Sequence, residues 1–240
     1  MLNKCLFVWI SYFVACSNAN AVSWIKPCKA SDSECLLTSA TLALPHIANG
    51  IPELGIPAID PLPLKDTEAN TGDLKLKFTN VTIYQLSKCE FKSFTRDPVK
   101  STASVVVHCP TVIKGLYKMS GTLLFVEVFG EGDFAIEGGI MRTTTDLQLK
   151  TFTKDGNTHY KVSSFDYEFE PKTKYTLKFG NLYNGDKEKT APVEKIMNDA
   201  WKELILDIGK PLMKEGMVST VNVIDKFFKA IAAKDLEIVD

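Results

Sequence analysis

Gly50–Leu64 reads GIPELGIPAIDPLPL. Four prolines, Pro52, Pro57, Pro61 and Pro63, are set among Ile51, Leu54, Ile56, Ile59 and Leu62. Proline fixes φ, removes a backbone donor and pushes the preceding residue out of the helical region. Such a run is neither a helix nor a central strand. A flexible linker would carry Gly and Ser without the isoleucines. The segment is therefore expected to be an extended, rigid, apolar connection, pressed against something it helps to close.

Outward from it, two periodicities divide the chain. On the N-terminal side, Leu36, Leu37, Ala40, Leu44 and Ile47 recur at helical spacing. Ser31-Asp32 offers the N-cap, Glu34 favours the helix dipole, and Gly50 terminates. Pro45 predicts a kink near Thr41. From Leu74 onward the period is two. Strands are expected at Leu74–Phe78, Val81–Ile83, Ser104–His108, Leu116–Val128, Gly132–Ile136, Met141–Thr153, Tyr160–Phe169 and Tyr175–Phe179. One apolar and one polar face per strand is the signature of an antiparallel sheet half open to water. Asp155-Gly156 is a hairpin turn signal, and consecutive hairpins predict a single meander of six or seven strands. Glycines within or beside these strands (Gly121, Gly130, Gly132, Gly138, Gly139) suit a sheet that bends and curls.

The last segment returns to helical spacing. Thr190 is positioned to cap and Pro192 suits a first turn. An apolar stripe from Val193 to Ile231 then lasts about 40 residues, on the order of 60 Å at helical rise. That exceeds the diameter of a compact domain of this size. Pro211, between Gly209 and Gly216, opposes the carbonyl of Asp207 and bends the helix. The fold class is α+β. Residues 22–240 form one domain, with a long bent C-terminal helix inside a strongly curved antiparallel sheet.

The 240 residues are 45% hydrophobic with a formal net charge of −1, which gives no argument for nucleic acid or an anionic membrane surface. Residues 1–21 read as a signal peptide: Lys4, the apolar run LFVWISYFVA, and Ala19-Asn20-Ala21 as the cleavage site. The apolar run is shorter than the roughly 20 residues a membrane span needs, so stable membrane insertion is not expected and the mature chain is expected to be extracellular. Four cysteines remain after cleavage: Cys28, Cys35, Cys89 and Cys109. Four cysteines allow three pairings. Asp97-Pro98 is a turn signal, and a hairpin turning near Val99 would set Cys89 opposite Cys109. A bridge closing such a loop contributes about 3 kcal/mol in the chain-entropy model. A zinc site is disfavoured because no CxxC exists and His108 adjoins Cys109.

The motif PCKASDSECLL, followed by PHIANGIPELGIPAIDPL, resembles the opening of the takeout and juvenile hormone-binding protein family of insects. Phe179–Asp186 (FGNLYNGD), with Asn198-Asp-Ala-Trp201 and the helical pattern after it, resembles that family's closing region. The two matches bracket most of the mature chain. The resemblance implies a secreted carrier of a small lipophilic molecule, in haemolymph or another extracellular fluid, and the TULIP-like takeout fold, a long helix wrapped by a curved sheet. It further implies a Cys28–Cys35 bond, which leaves Cys89 with Cys109. Hormone-binding members proper carry a second disulfide in the later half. This chain has no cysteine after Cys109, a departure that favours a takeout-like carrier with a different or broader ligand.

No catalytic constellation is visible. The three histidines, His46, His108 and His159, are scattered, and there is no GxSxG elbow, no HExxH and no phosphate loop. Neither an enzyme, a cofactor nor a metal is expected. Asn80-Val81-Thr82 is an N-glycosylation sequon. Apolar strand faces and an apolar helix face are equally what a packed core requires; the resemblance is what implies an internal cavity, and strand alternation then nominates Leu76, Phe78, Val105, Val107, Tyr117, Met119, Phe125, Phe134, Ile136, Phe165 and Phe169 as lining it. The helix adds Trp201, Ile205, Met213 and Met217. A one-residue slip would invert any strand's set. Tyr117, Tyr160 and Tyr175 are candidates to orient a ligand through their hydroxyls. Two other readings stand beside the carrier: a signalling or interaction protein with a structural lipid, and a lipid esterase.

Overall fold

The computed structural model describes residues 22–238; the expected signal peptide lies outside the described residues. A short strand β1 (Cys28–Lys29) leads into helix α1 (Ser33–Asn49). Asp32 caps it, its Oδ1 accepting from the Cys35 amide at 2.9 Å. Pro45 sits inside the last part of the helix, where it cannot donate to the carbonyl of Thr41.

Gly50 ends the helix at φ 79, a conformation that favours glycine, and a Cβ there would meet the Ala58 nitrogen at 2.7 Å. The proline-rich segment then folds back on the helix end. The amides of Ile59 and Asp60 both donate to the Ala48 carbonyl at 3.1 Å, satisfying an acceptor the helix leaves open. Ile51, Ile56, Ile59, Leu62 and Leu64 are buried. The segment is not extended throughout: Pro52–Leu54 forms one 3-10 turn, and Leu62–Pro63 pairs as strand β2. The Asp60 carboxylate accepts from the Gln85 and Ser87 amides at 2.9 Å, which ties the connection to the sheet.

The strands follow as β3 (Thr67–Thr71), β4 (Leu74–Tyr84), β5 (Glu90–Asp97), β6 (Thr102–Cys109), β7 (Val112–Leu123), β8 (Val126–Glu137), β9 (Met141–Lys154), β10 (Asn157–Pro171) and β11 (Thr176–Phe179). Their pairing is antiparallel, in the orders β10-β9-β6-β5 and β11-β8-β7-β4-β2, with β3 also on β4. Consecutive strands run on from one set into the other: β4 into β5, β6 into β7, β8 into β9, β10 into β11. The meander therefore consists of four long strands, each interrupted once along a common seam, rather than six or seven uninterrupted ones. The interruptions are the 3-10 turn Leu86–Lys88, Pro110-Thr111, 138–140 and 172–175. Breaking four strands at one level lets the sheet curl strongly without closing.

The expected strand Leu116–Val128 is corrected. The chain reverses at Leu124-Phe125, between β7 and β8, with Leu124 at φ 57. The apolar residues around this tip, Leu123, Leu124, Phe125 and Val126, mask the turn in the sequence.

The C-terminal stripe forms three helices: α2 (Lys187–Asp199), α3 (Trp201–Asp207) and α4 (Lys210–Ala230). The cap is Asp186, whose Oδ1 accepts from the Glu188 and Lys189 amides, so the helix starts before Thr190 and Pro192 lies within it. Thr190 instead donates to the Leu182 carbonyl. Asn198 secures α2 to β11, its side chain bonding both the amide and the carbonyl of Leu177. The bend foreseen at Pro211 falls at Ile208-Gly209, and Pro211 sits in the first turn of α4, where its missing donor is not needed. A final strand β12 (Glu237–Ile238) pairs in parallel with β1.

Both disulfides are present. Cys28–Cys35 fastens β1 to α1, and Cys89–Cys109 links β5 to β6 at the seam. The β5–β6 register, Glu90 opposite His108 through Asp97 opposite Thr102, is the hairpin that sets those cysteines together.

Candidate ligand-binding cavity

The two halves of the curled sheet are filled differently. On β4, β7, β8 and β11 the inward residues Leu76, Phe78, Tyr117, Met119, Phe134, Ile136 and Phe179 pack into one continuous core with α2 and α3. On β5, β6, β9 and β10 the inward residues face an open space of about 320 Å³. Pockets that enclose small ligands begin at about 300 Å³.

The wall of this cavity follows from strand alternation. Ala103, Val105, Val107 and Cys109 of β6 line it, opposite Leu147, Thr145, Thr143 and Met141 of β9. Six residue steps from Ala103 to Cys109 make a wall about 20 Å long. A bulge in β5 between Phe91 and Ser93 changes the parity, so that Phe91, Phe94 and Arg96 all point inward. The facing side is helical. α1 contributes Leu36, Ala40, Ala43, Leu44 and Ile47, and α4 contributes Met213, Met217, Val221, Ile224, Phe227 and Phe228 among others. α4 is held to β10 where the Asp225 Oδ1 accepts from the Val162 amide at 2.8 Å, beside the bulge of that strand. Gly216 of α4 also lines the space, with a notional Cβ 3.0 Å from Ile83.

Polar groups are few and mostly engaged. Ser39 donates to the Lys26 carbonyl at 2.9 Å, and Thr111 shares a 2.9 Å bond with the Tyr175 hydroxyl. The charged lining residues are Arg96 and Glu237, paired at 3.1 Å between Nε and Oε2. The Tyr160 hydroxyl donates to the same Oε2 at 3.0 Å. Burial raises the Tyr160 phenol above its ordinary range, and the neighbouring Arg96 opposes the shift.

Of the residues nominated from the sequence, Val105, Val107, Met213 and Met217 line the cavity. Leu76, Phe78, Tyr117, Met119, Phe134, Ile136 and Ile205 are buried in the solid core instead, and Phe169 and Trp201 pack against its edge. Phe165 packs against a smaller cluster of Ala103, Leu147, Leu149 and Val221. Phe125, at the β7–β8 tip, is 78% exposed. For the strand residues in the solid core the reason is that alternation gives the inward face of a strand but not which half of the sheet is filled; Phe125 falls outside because the turn at the β7–β8 tip is masked in the sequence. Among the tyrosines, Tyr160 reaches the cavity. The Tyr117 hydroxyl is bound to the Gly180 carbonyl at 2.7 Å, and Tyr175 is engaged with Thr111. Burial pushes both of these phenols up to about 12.

Sequence reasoning did not nominate the apolar stripe of α1, the inward set of β9, or β5. The first two carry a readable signal in their periodicity. β5 carries none, because its bulge separates Phe91 from Phe94 by three residues and so breaks the alternation.

The class this defines is a strongly curled antiparallel sheet packed against helices, with an elongated apolar space between α1, α4 and one half of the sheet. The chain belongs to the haemolymph juvenile hormone binding protein (JHBP) family, whose model matches residues 5–237. It is 27% identical over 235 residues to the circadian clock-controlled protein daywake of Drosophila melanogaster, covering 91% of this chain and 88% of that one. The daywake protein of Drosophila yakuba is 25% identical over 251 residues, 94% of each chain. The crystal structure of Takeout 1 from Epiphyas postvittana superposes with a TM-score of 0.86 at 22% identity, covering 90% of this chain and all of that one, which shows the shared fold.

Proposed function

We propose that this protein is a secreted carrier that holds a small, elongated hydrophobic molecule in the cavity between α1, α4 and the β5–β6–β9–β10 sheet. A terpenoid such as juvenile hormone or a fatty-acid-like lipid is the class of ligand. The observation that carries the reading is the elongated, predominantly apolar wall. Each methylene moved from water into such a wall contributes about 0.8 kcal/mol, so a slender chain gains affinity without many polar contacts. Membership of a family described by hormone binding supports the same reading. Two disulfides support passage through an oxidising compartment, and among the described residues no helix is long and apolar enough to cross a membrane.

The test is to secrete the chain from a eukaryotic host, purify it without detergent, and compare native with denaturing mass spectra. A discrete mass that is lost on denaturation and recovered as a lipid in organic extract supports the carrier. Absence of any bound mass, together with no saturable uptake of the fluorescent probe N-phenylnaphthylamine, rejects it. The same sample tests the sequon. Asn80 is exposed at a bulge of β4, at φ 51, and Asn80→Gln is expected to remove a glycan mass.

A further inference from the structure

The cavity has two unlike ends. Near the seam its wall is Ile83, Ile113, Met141 and the Cys89–Cys109 bridge. Along the sheet from there, next to Ala103 and Leu149, it meets Arg96, Tyr160 and Glu237. The side chains of Arg96 and Glu237 are only 8% and 14% exposed. The guanidinium is fixed on three sides. Nε donates to Glu237, and Nη1 donates to the carbonyls of Asp97 at 2.8 Å and Thr102 at 3.1 Å. Its carbon lies over the Tyr160 ring, 5.4 Å from the centroid. The Nη2 amino group has no hydrogen-bond acceptor among the described residues. Glu237 arrives from β12, which is paired to β1 beside the Cys28–Cys35 bridge. The acid is thus held at the cavity by the two ends of the folded chain.

We infer that Arg96, Tyr160 and Glu237 form the site for the polar end of the ligand, and that this end is an uncharged acceptor oxygen, as in a ketone, ester or amide. The inference rests on the carrier reading. Arg96 offers donors that no group among the described residues uses, so an acceptor oxygen is the complementary chemistry. The ion pair is already neutral. A ligand carboxylate entering here would meet the Glu237 carboxylate in a poorly solvated place, where like charges repel strongly. To bind Arg96 it would have to displace an acid that Tyr160 also holds. A neutral carbonyl takes the free donors and leaves the pair intact. The rest of the ligand then lies along the apolar wall toward the seam.

The experiment uses the secreted chain and N-phenylnaphthylamine, displaced by methyl hexadecanoate or by hexadecanoate at a pH where the acid is ionised. Uptake of the probe by the wild type tests the carrier reading; the ratio of the two competitors tests the inference. The wild type is expected to bind the methyl ester about tenfold or more tighter than the acid, the size of one hydrogen bond to a charged group. Glu237→Gln keeps the shape, removes the negative charge and leaves Arg96 without a counter-ion. It is expected to bind the acid more tightly than the wild type does and to invert the preference. Arg96→Met is expected to weaken the ester by about tenfold. Glu237→Gln is isosteric and keeps the test valid even if Arg96→Met does not fold. An acid-to-ester ratio that is the same in wild type and Glu237→Gln overturns the inference, as does a wild type that prefers the acid. Failure of the wild type to take up the probe at all overturns both the carrier reading and the inference built on it.

Discussion

Val107→Trp is the most direct probe of the cavity. Val107 sits in the wall formed by β6, opposite Phe91 on one side and Thr143 on the other, all three facing the open space. Tryptophan suits a strand as well as valine does, and an indole there extends into the cavity rather than into packed atoms. We expect it to displace roughly three to four methylenes of a slender ligand at about 0.8 kcal/mol each. The loss of about 2.5–3 kcal/mol corresponds to roughly 60- to 140-fold weaker binding. The folded state should keep or raise its melting temperature, because apolar atoms fill an apolar void. The assay is displacement of N-phenylnaphthylamine by methyl hexadecanoate, with thermal unfolding measured on the same samples. Unchanged affinity in a folded variant would mean that the ligand does not occupy this space. A destabilisation of about 1–3 kcal/mol, the usual result of overpacking a filled core, would mean that the space is not open. Either result refutes the reasoning from the wall of β5, β6 and β9.

Other consequences follow from the framework around the cavity. Replacing Cys89 and Cys109 together by alanine releases a bridge of sequence separation 20 and should cost about 3 kcal/mol in denaturant unfolding. Asp225→Ala leaves the Val162 amide at the β10 bulge without its acceptor; a loss of about 1–3 kcal/mol is expected, with faster hydrogen exchange confined to that part of β10. Stability should also fall at alkaline pH. Tyr117 and Tyr175 have phenols raised by burial from 10.0 to about 12 in the folded protein, so the folded state retains protons that the unfolded chain releases. Their contribution is whole below about pH 10 and is lost as pH rises through about 12. The double replacement of both tyrosines by phenylalanine should flatten unfolding free energy against pH in that window, and an unchanged slope would show that these phenols are not responsible.

The local features legible in the sequence are those set by neighbours along the chain. Asp32 and Gly50 bound α1 because capping is decided within a turn of the helix end. The proline-rich run closes onto the helix because its isoleucines must be buried and its backbone has few other options. Alternation placed Val105 and Val107 on the inward face of β6, and equally placed Phe78 and Phe134 inward on β4 and β8, since the pleat has period two everywhere. Asp186 outcompeted Thr190 as the cap of α2 because the loop before it, with Tyr183, Asn184 and Gly185 all at positive φ, brings the chain into the helix one turn early.

What the sequence could not decide is where inward residues find neighbours and where they find none. Phe78 and Val107 carry the same signal, yet one meets Phe134 and the other faces open space, because whether an inward residue meets a neighbour depends on how the helices lie across the sheet. Arg96 and Glu237 are 141 residues apart and meet only because the last strand returns to pair with the first. Periodicity is a property of the local backbone and can be read from one chain; a cavity and its charged end arise from the distances between elements, which are fixed only once all of them are packed.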